Sequence, residues 1–462
     1  MTSIRSFDCA ALLEAGFARE RLERAGIPDG MSVVFADDGR PVSVLNRWLR
    51  SLPTRGGRSP GTWWGYAKDL AVWQSHLDRQ GVDVFADRRA LREALEALYL
   101  SLRVDPELED RWSPATWNRL IAAMDNFYTW AVEEELTAAL PFSYAWARNP
   151  HTGQRVRKNL ATERNARRHA TIRWLGDEQY ILYRDVGMLG LRPDGTACGG
   201  FRGRNGVRNA AFADLLRGSG ARVQEGSHLL VFELPELPAG DPVLVDLPLP
   251  APICKGGVGR TTWLPLDALR RLHRYVTFER AVVASRSRWR PKGALEVTDA
   301  DAVGGRIDGR RVRWARLGPV ERRRLVMPDG GSPLLMLSAT GSAMTDWEEV
   351  FTAATARCRG FDSSFPASVH PHMLRHTFAV HALAWLQREA ARIAINNAKA
   401  GDTAVMAHYQ RTLDPLIALR DLLGHSSVST TQVYLQLRNT SRLWATVEID
   451  DSDEFGDELG VA

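Results

Sequence analysis

Cysteine is scarce in this chain, which has four cysteines among 462 residues. Cys9, Cys198, Cys254 and Cys358 lie far apart and form no Cys-x-x-Cys pair. Neither a disulfide framework nor a zinc ribbon is therefore indicated, and the pattern favours a reducing cytoplasm.

Long apolar runs are also missing. No stretch approaches the ~18 apolar residues of a membrane span, and no signal peptide opens the chain, so we expect no membrane partner. The hydrophobic fraction of 44% and the charged fraction of 25% are ordinary for a globular protein. The length allows two or three domains with substantial cores.

Lysine is the third scarce residue, because only five of the 60 basic residues are lysine. The chain meets nearly every need for positive charge with arginine. A lysine loses its proton far more readily than an arginine, so a lysine within a motif is a candidate for proton transfer. The formal net charge of +5 favours polyanionic partners, although an acidic tail from Glu448 to Leu459 offsets part of the basic charge.

Two short blocks near the C-terminal end contain the residues that suggest chemistry. They are His372-Met-Leu-Arg375-His376-Thr-Phe and Leu422-Leu-Gly-His425-Ser-Ser-Val-Ser-Thr-Thr-Gln-Val-Tyr434. His372 and Arg375 are three residues apart and would share one face of a helix. An arginine that can bind a phosphate with two donors, beside a tyrosine that could attack it, suggests phosphoryl transfer.

The second block also predicts where two helices meet. Gly424 can end a helix over 415–423 in a left-handed cap. Ser429 and Gln432 have capping-box spacing, which predicts a further helix with Tyr434 in its second turn.

These residues resemble the signature of the tyrosine recombinase family of the phage-integrase type. That signature is His-x-x-Arg, then Leu-Gly-His, then a nucleophilic tyrosine nine residues after the second histidine. His372, Arg375, His425 and Tyr434 match it position by position. About two dozen extra residues near 387–414 separate the two blocks, which we interpret as an insertion.

The family's first arginine box, Thr-Gly-Leu-Arg-x-x-Glu, is similar to the segment around Arg222. The matching residues are Gly220, Arg222, Glu225 and Leu229. Arg208 superficially fits the same box, but it lacks a glutamate three residues on and precedes the helix that should come first. We therefore expect Arg222 at the site, carried by a short second helix after a helix that ends at 218–220, with a strand following over 228–234.

A glycine-rich turn between alternating segments predicts a β-hairpin over 250–266. The family places its catalytic lysine on such a hairpin, as Gly-Lys-Gly-x-x-x-Arg. Lys255, Gly256 and Arg260 match that pattern, while Cys254 replaces the first glycine. No Gly-x-x-x-x-Gly-Lys-Ser/Thr pattern occurs, so nucleotide binding is not expected.

The resemblance implies a reaction on duplex DNA. Tyr434 would attack the scissile phosphate, forming a 3′-phosphotyrosyl link and releasing a 5′-hydroxyl. Arg222 and Arg375 would hold the non-bridging oxygens, and Lys255 would protonate the leaving oxygen. His372 is the candidate general base.

The resemblance also implies partners and a cofactor requirement. His425 would hydrogen-bond the phosphate, and neither a metal nor any other cofactor would be needed. Family members act as tetramers on two DNA duplexes, with the segment after the nucleophile docking on a neighbouring subunit.

The expected fold is mainly α with a small β component. An N-terminal helical core-binding domain would cover 41–147, and a mixed α/β catalytic domain with insertions near 276–335 and 387–414 would cover 174–440. The remaining segments are an N-terminal extension (1–40), a basic linker (148–173) and an acidic C-terminal tail (441–462).

Helical apolar stripes in the first domain predict core packing. The predicted helices begin at Ser59-Pro60 and cover 88–102 and 114–135. A basic linker between the two halves of a DNA clamp would lie along phosphates. The candidate DNA contacts are Arg55, Arg58, Thr62, Arg119, Arg155, Arg157 and Lys158.

Three other functions stay open at this point. A type IB topoisomerase uses similar chemistry on one duplex, and a catalytically silent DNA-binding protein could keep the same fold. A metal-dependent nuclease would need the histidines near His372. His372 and His376 have i,i+4 spacing but no glutamate between them, so we interpret His376 as structural.

Overall fold

The computed structural model describes residues 2–57, 59–105, 111–138, 140–148, 153–163, 172–399 and 414–435. The chain divides into two compact units, Met1–His169 and Ala170–Ala462. Both are mainly helical with small sheets, which confirms the predicted fold class. Four predicted features lie outside the described residues: Arg58, the linker over 164–171, the insertion over 400–413 and the acidic tail.

The first unit is a helical bundle with two small antiparallel sheets. Its helices are α1 (Cys9–Glu14), α2 (Arg19–Ala25), α3 (Ser43–Ser51), α4 (Pro60–Gln80), α5 (Arg88–Tyr99) and α6 (Pro114–Glu133). Its strands are β1 (Ser3–Ser6) paired with β2 (Ser32–Phe35), and β3 (Tyr144–Arg148) paired with β4 (Arg155–Asn159).

Local sequence determines both ends of α4. The hydroxyl of Ser59 accepts a hydrogen bond from the backbone N–H of Thr62 at 3.2 Å, and Pro60 occupies the first turn. Gly81 ends the helix in the left-handed conformation with φ of +66°. The predicted start at Ser59-Pro60 is therefore confirmed.

Aromatic side chains fill the core of the first unit, as the apolar stripes predicted. The largest buried ones are Trp48, Trp73, Trp117, Phe127, Tyr128 and Trp130. The indole N–H of Trp73 donates to the hydroxyl of Tyr128 at 2.9 Å, so the polar atoms of these rings are also satisfied.

The first half of the predicted linker is not a linker. Strands β3 and β4 pair along their whole length, from Tyr144 opposite Asn159 to Arg148 opposite Arg155. Arg103 on the bundle then binds Glu163 with two nitrogens, at 2.7 and 2.5 Å. Described residues up to 163 therefore belong to the first unit.

Among its described residues, the second unit contains nine helices, a further helical segment over 428–435 and six strands. The helices are α7 (Asp177–Leu182), α8 (Gly206–Ser219), α9 (Val223–Ser227), α10 (Leu266–Tyr275), α11 (Ala281–Arg286), α12 (Pro319–Arg324), α13 (Glu348–Phe361), α14 (Pro371–Lys399) and α15 (Pro415–Leu423). The strands are β5 (Leu244–Leu249), β6 (Arg260–Pro265), β7 (Leu295–Thr298), β8 (Gly304–Ile307), β9 (Arg310–Arg313) and β10 (Leu325–Val326).

The predicted β-hairpin exists, but its first strand lies earlier in the chain. Strand β5 pairs with β6 from Leu244 opposite Pro265 to Leu249 opposite Arg260. Residues 250–254, predicted as a strand, belong to the loop because Pro250 and Pro252 have no N–H for a ladder. Lys255 therefore lies in a ten-residue loop, 250–259, between the strands.

Two further predictions in the second unit need correction. Residues 228–234 form a short 3₁₀ turn and a single bridge, Leu230 to Leu334, rather than a strand. The predicted insertion over 387–414 does not begin as a separate segment, because α14 continues unbroken to Lys399.

The region 276–335 contains the short strands that the sequence predicted. Strands β7 to β10 form a four-stranded sheet in the order β10-β7-β8-β9. Val297 on β7 and Leu325 on β10 are buried in one cluster with Trp314. The buried guanidinium of Arg322 donates to Glu233 at 2.6 and 2.8 Å. This region has its own small core.

The helix boundary before His425 matches the prediction, whereas the next one is shifted. Helix α15 ends at Gly424, which has φ of +63° and ψ of +47°. The following helical segment covers 428–435. Its cap is Ser427, whose hydroxyl accepts from the backbone N–H of Ser429 at 3.2 Å, so the predicted capping box at Ser429 is wrong.

Gly220 is expected to be intolerant of substitution. Its φ of +63° disfavours any side chain, and a β-carbon there would overlap the ring of Phe378. Gly220→Ala should lower the free energy of unfolding by about 3 kcal/mol or more, because strain and overpacking add. Gly309→Ala is the matched control, since φ is +75° and no described atom lies within 4 Å of its β-carbon. Urea unfolding should show that this control loses about 1–2 kcal/mol of the free energy of unfolding. Equal losses in the two variants would contradict the overlap with Phe378.

Candidate active site

Arg222 stands at the start of α9, two residues after the glycine that ends α8. Glu225, three residues on, accepts a hydrogen bond from the backbone N–H of Arg222 at 2.7 Å. The same carboxylate accepts from the Arg222 side chain at 3.0 Å. The Arg-x-x-Glu spacing of the sequence thus fixes both the helix start and the direction of the guanidinium.

Glu225 also accepts hydrogen bonds from a second arginine. Arg260, the first residue of β6, donates to the two carboxylate oxygens at 2.9 and 2.7 Å, and its Nε donates to the carbonyl of Leu422 at 2.8 Å. Burial alone would raise the pKa of Glu225, yet Arg260 and Arg222 together lower it below its usual value. The carboxylate is therefore charged. Directly and through Arg260, it connects the start of α9, the start of β6 and the end of α15.

Arg375 occupies the centre of the site and is 1% exposed. One terminal nitrogen donates to the carbonyl of Gly220, and the other donates to the carbonyl of Leu423 at 2.6 Å. These carbonyls lie at the C-terminal ends of α8 and α15, where helices carry partial negative charge. Burial, followed by the charges of Arg222 and Arg260, lowers the pKa of Arg375.

His425 lies directly after the glycine cap of α15. Its Nδ1 is 3.0 Å from the hydroxyl of Thr431, which belongs to the next helical segment. Burial lowers the pKa of His425 to about 4, with Arg375 and Arg222 contributing further, so the ring is neutral at pH 7.

Tyr434 is buried, and its hydroxyl is 2.8 Å from Nδ1 of His376. The sequence predicts a structural role for His376 and the role of general base for His372. In the structure, the histidine in contact with the phenol is His376. Among the described residues, no hydrogen bond joins His372 to Tyr434.

The pKa values indicate which way this hydrogen bond runs. Burial raises the pKa of Tyr434 above its usual value, although Arg375 and Arg222 oppose the rise. Burial and the charges of His372 and Arg375 lower the pKa of His376 to about 4. At pH 7 the phenol is therefore protonated and donates to a neutral imidazole.

His372 and Lys255 complete the group on its solvent side. His372 is exposed, and its ring centroid lies 4.3 Å from that of His376. Burial lowers the pKa of His372, and the charges of Arg375, His370, Arg222 and Lys255 add to the shift. Lys255 is exposed in the β5–β6 loop. The structure thus brings together five of the residues that the motifs selected, and the sixth, Lys255, is near enough for its charge to lower the pKa of His372.

Arg208, the rejected alternative to Arg222, is buried and serves packing. Its Nη1 donates to the carbonyl of Leu337 at 2.8 Å, and its guanidinium carbon lies 5.4 Å from the centre of the Trp347 ring. Its hydrogen-bond partners among the described residues are Leu337 and Asn209, neither of which belongs to the site.

The chain is similar to known proteins over most of its length. Residues 45–135 match the family model described as phage integrase, N-terminal SAM-like domain. Tyrosine recombinase XerD of Mycobacterium leprae (strain TN) is 25% identical over 386 residues, which cover 82% of this chain and 88% of the relative. Tyrosine recombinase XerD of Mycobacterium tuberculosis (strain ATCC 25618 / H37Rv) is 25% identical over 395 residues, covering 84% and 91%.

The chain is thus similar to tyrosine recombinases along more than four fifths of its length. It is also similar to the solved structure of XerH site-specific recombinase bound to palindromic difH substrate. That comparison covers 93% of each chain at 14% identity, with a TM-score of 0.47.

The predicted DNA contacts in the first unit have partners within the bundle. Arg55 forms an ion pair with Glu133 at 2.5 Å, and the hydroxyl of Thr62 lies 2.8 Å from that of Ser59. Both residues line a half-open cleft of about 620 Å³. Arg119 binds the buried carboxylate of Asp69 with two nitrogens, yet remains 60% exposed.

The three predicted contacts on strand β4 do not face the same way. Opposed residues of an antiparallel pair share a face, and alternate residues point to opposite faces. Arg155 opposes Arg148 and Arg157 opposes Trp146, so these four share one face. Lys158 opposes Ala145 on the other face.

Within the described ranges, no group of three or more His, Cys, Asp or Glu side chains is arranged to hold a metal ion. In the same part of the chain, no helix is long and apolar enough to cross a membrane.

The low pKa of His376 predicts an acid-sensitive fold for this protein. Its pKa falls from 6.5 to about 4, so neutral His376 stabilises the folded state above pH 6.5. That contribution is lost as the pH falls toward 4. Urea unfolding should show that the free energy of unfolding falls less between pH 7 and pH 4.5 in His376→Asn than in the parent. The same loss in both proteins would contradict this assignment.

Proposed function

We propose that this protein is a recombinase that cuts and rejoins duplex DNA at specific sites through a 3′-phosphotyrosyl intermediate on Tyr434. The observation that supports this most is the convergence of a second arginine, two histidines and a tyrosine around Arg375. The relatives at 25% identity are named tyrosine recombinases, and they match over more than four fifths of this chain. The chemistry below follows from the residues themselves.

Arg222 and Arg375 would bind the two non-bridging oxygens of the scissile phosphate. Glu225 holds the Arg222 guanidinium by one nitrogen, which leaves its remaining donors for an anion. Arg375 has one further N–H on each terminal nitrogen beyond those bound to Gly220 and Leu423. Such prearranged donors stabilise the charge that develops in the transition state.

Tyr434 must lose its proton and its hydrogen bond to His376 before it can attack. A histidine with a pKa near 4 is a weak base, so His376 holds the phenol rather than deprotonating it. His372 is the proposed base, because it is exposed where a phosphate would bind and a negative charge there would raise its pKa. His425 would hydrogen-bond the same phosphate.

Lys255 would protonate the leaving 5′-oxygen. Its loop has positive φ at Gly256 (+82°) and Gly257 (+69°), which lets the backbone turn sharply beside the lysine. An exposed lysine on a loop can approach a DNA strand that binds at Arg222 and Arg375. No metal or other cofactor is part of this proposal.

We infer that the recombinase self-associates into a tetramer on two duplexes, in the cytoplasm. The segment after Tyr434, which lies outside the described residues, contains Leu443 and Trp444 ahead of its acidic end. An apolar pocket of about 240 Å³ in the second unit offers a complementary site, with Trp263 and Trp385 in its wall and Arg217 and Arg388 at its edge. Arg55, Thr62 and Arg119 remain proposed DNA contacts of the first unit.

Loss of the nucleophile should abolish the covalent product without abolishing binding. Tyr434→Phe should still bind DNA, because the phenol is buried, but should form no adduct with nicked genomic fragments in SDS–potassium precipitation. The parent should form adducts in the presence of EDTA. Adducts that persist in Tyr434→Phe, for example through Tyr409, would contradict the assignment.

Arg222 and Arg208 form a matched pair for testing the phosphate site. Arg222→Ala should lower the rate of adduct formation by about 10²–10³, because one transition-state donor is removed. Arg208→Ala should lower the melting temperature, since it removes a buried contact with Leu337, and leave the rate per folded molecule unchanged. The opposite ranking would contradict the proposed site.

Lys255 can be tested through the leaving group. A general acid contributes about 10²–10⁴ to the rate, and that contribution disappears when the leaving group needs no proton. Lys255→Ala should cleave ordinary DNA poorly but cleave a 5′-bridging phosphorothiolate nearly as fast as the parent. Arg375→Ala is the control, and the phosphorothiolate should not restore its cleavage rate. A Lys255→Ala variant that sulfur does not rescue would indicate a positioning role.

A further inference from the structure

The β3–β4 ribbon of the first unit presents one face that alternates aromatic and basic residues. From the strand register, that face holds Tyr144, Trp146 and Arg148 on β3 and Arg155, Arg157 and Asn159 on β4. The other face holds Ala145, Ala147, Val156 and Lys158. The two faces of one ribbon therefore differ in chemistry and can be compared directly.

Trp146 is the most exposed tryptophan of the described residues, at 66%. It is nevertheless held in place, because the Arg155 guanidinium carbon lies 5.2 Å from its ring centre. Deeper in the ribbon, Arg157 stacks over Tyr144 at 3.7 Å. An exposed aromatic ring that is already ordered loses little entropy when a partner covers it.

The base of the ribbon is anchored to the bundle. The hydroxyl of Tyr144 donates to Asp125, and burial together with that bond raises the pKa of Tyr144. Arg88 donates to the carbonyl of Phe142 at 2.9 Å, and Arg92 donates to the carbonyl of Pro141 at 3.0 Å. The exposed face is thus presented from a fixed support.

The charge of the ribbon selects a polyanion as the partner. Its two strands carry four basic side chains, Arg148, Arg155, Arg157 and Lys158, and no carboxylate. Same-face residues of a strand are about 7 Å apart, so Arg155 and Arg157 can each meet a different phosphate of a DNA strand. A two-stranded ribbon also fits the width of the DNA major groove.

We propose that the face bearing Trp146 is a DNA-binding surface in its own right. Arg155 and Arg157 pair with phosphates, while the indole of Trp146 packs against sugar and base edges in the groove. The two contributions differ physically, because phosphate pairing depends on salt through counterion release and apolar packing does not. This inference rests on the proposed action on duplex DNA.

The test measures binding of the full chain to a labelled 30-base-pair duplex of mixed sequence by fluorescence anisotropy across NaCl concentrations. Trp146→Ala should weaken binding about five- to tenfold at every salt concentration, the low end of what one aromatic–base contact contributes. The slope of log affinity against log salt should stay unchanged. Trp146→Phe should restore most of the affinity.

Arg157→Gln should instead lower the magnitude of the salt slope by about one, for one phosphate contact. Val156→Ala changes the opposite face of the same ribbon, so its affinity should stay within twofold of the parent and its salt slope should be unchanged. Thermal unfolding of each variant should match the parent, since all three side chains, those of Trp146, Val156 and Arg157, are exposed.

Three outcomes would overturn the inference. If Trp146→Ala binds the duplex with the same affinity as Val156→Ala, this face does not contact DNA. Trp146→Ala that loses binding to anionic phospholipid vesicles but keeps duplex binding would assign the face to a membrane surface. A parent that binds no duplex at all would remove the proposed function along with the inference, which distinguishes that failure from the first two.

Discussion

The structure of the site depends on one buried guanidinium between two helix ends. Arg375 donates to the carbonyls of Gly220 and Leu423, which close α8 and α15. Both helices end in glycine with positive φ, so their last carbonyls are presented to a common point. A buried positive charge is costly unless it is hydrogen-bonded, and two helix C-termini supply both the acceptors and the favourable field.

The other members of the site follow from this arrangement. Because Arg375 holds the carbonyl of Gly220, it also fixes the position of Arg222, which follows two residues later in the chain. In the same way it fixes His425, which follows two residues after Leu423. Glu225 then ties Arg222 to Arg260, whose own Nε binds the carbonyl next to Leu423. Positive charge concentrates here, the one carboxylate described at the site is paired with two arginines, and His376 and His425 are kept neutral. A phosphate would relieve this excess of positive charge, which is what a phosphoryl-transfer site requires.

Features set by nearby residues could be predicted from the sequence, and features set by distant pairing could not. The Gly424 cap and the Ser59 start of α4 depend on one or two residues, and the Arg222–Glu225 pair lies within one turn. The His376–Tyr434 hydrogen bond joins positions 58 residues apart and depends on how α14 packs. Strand β4 was missed because Arg155, Arg157 and Lys158 place charge on both faces, which hides the alternation that marks a strand.

Amide hydrogen exchange of Arg375→Lys against the parent tests this account most directly. Lysine keeps the charge but lacks the planar fork that reaches two carbonyls at once. The account predicts faster exchange in both 218–222 and 421–426 together, with peptides of the first unit unchanged. Unchanged exchange in both segments, or a change confined to one of them, would contradict the claim that Arg375 joins the two helix ends.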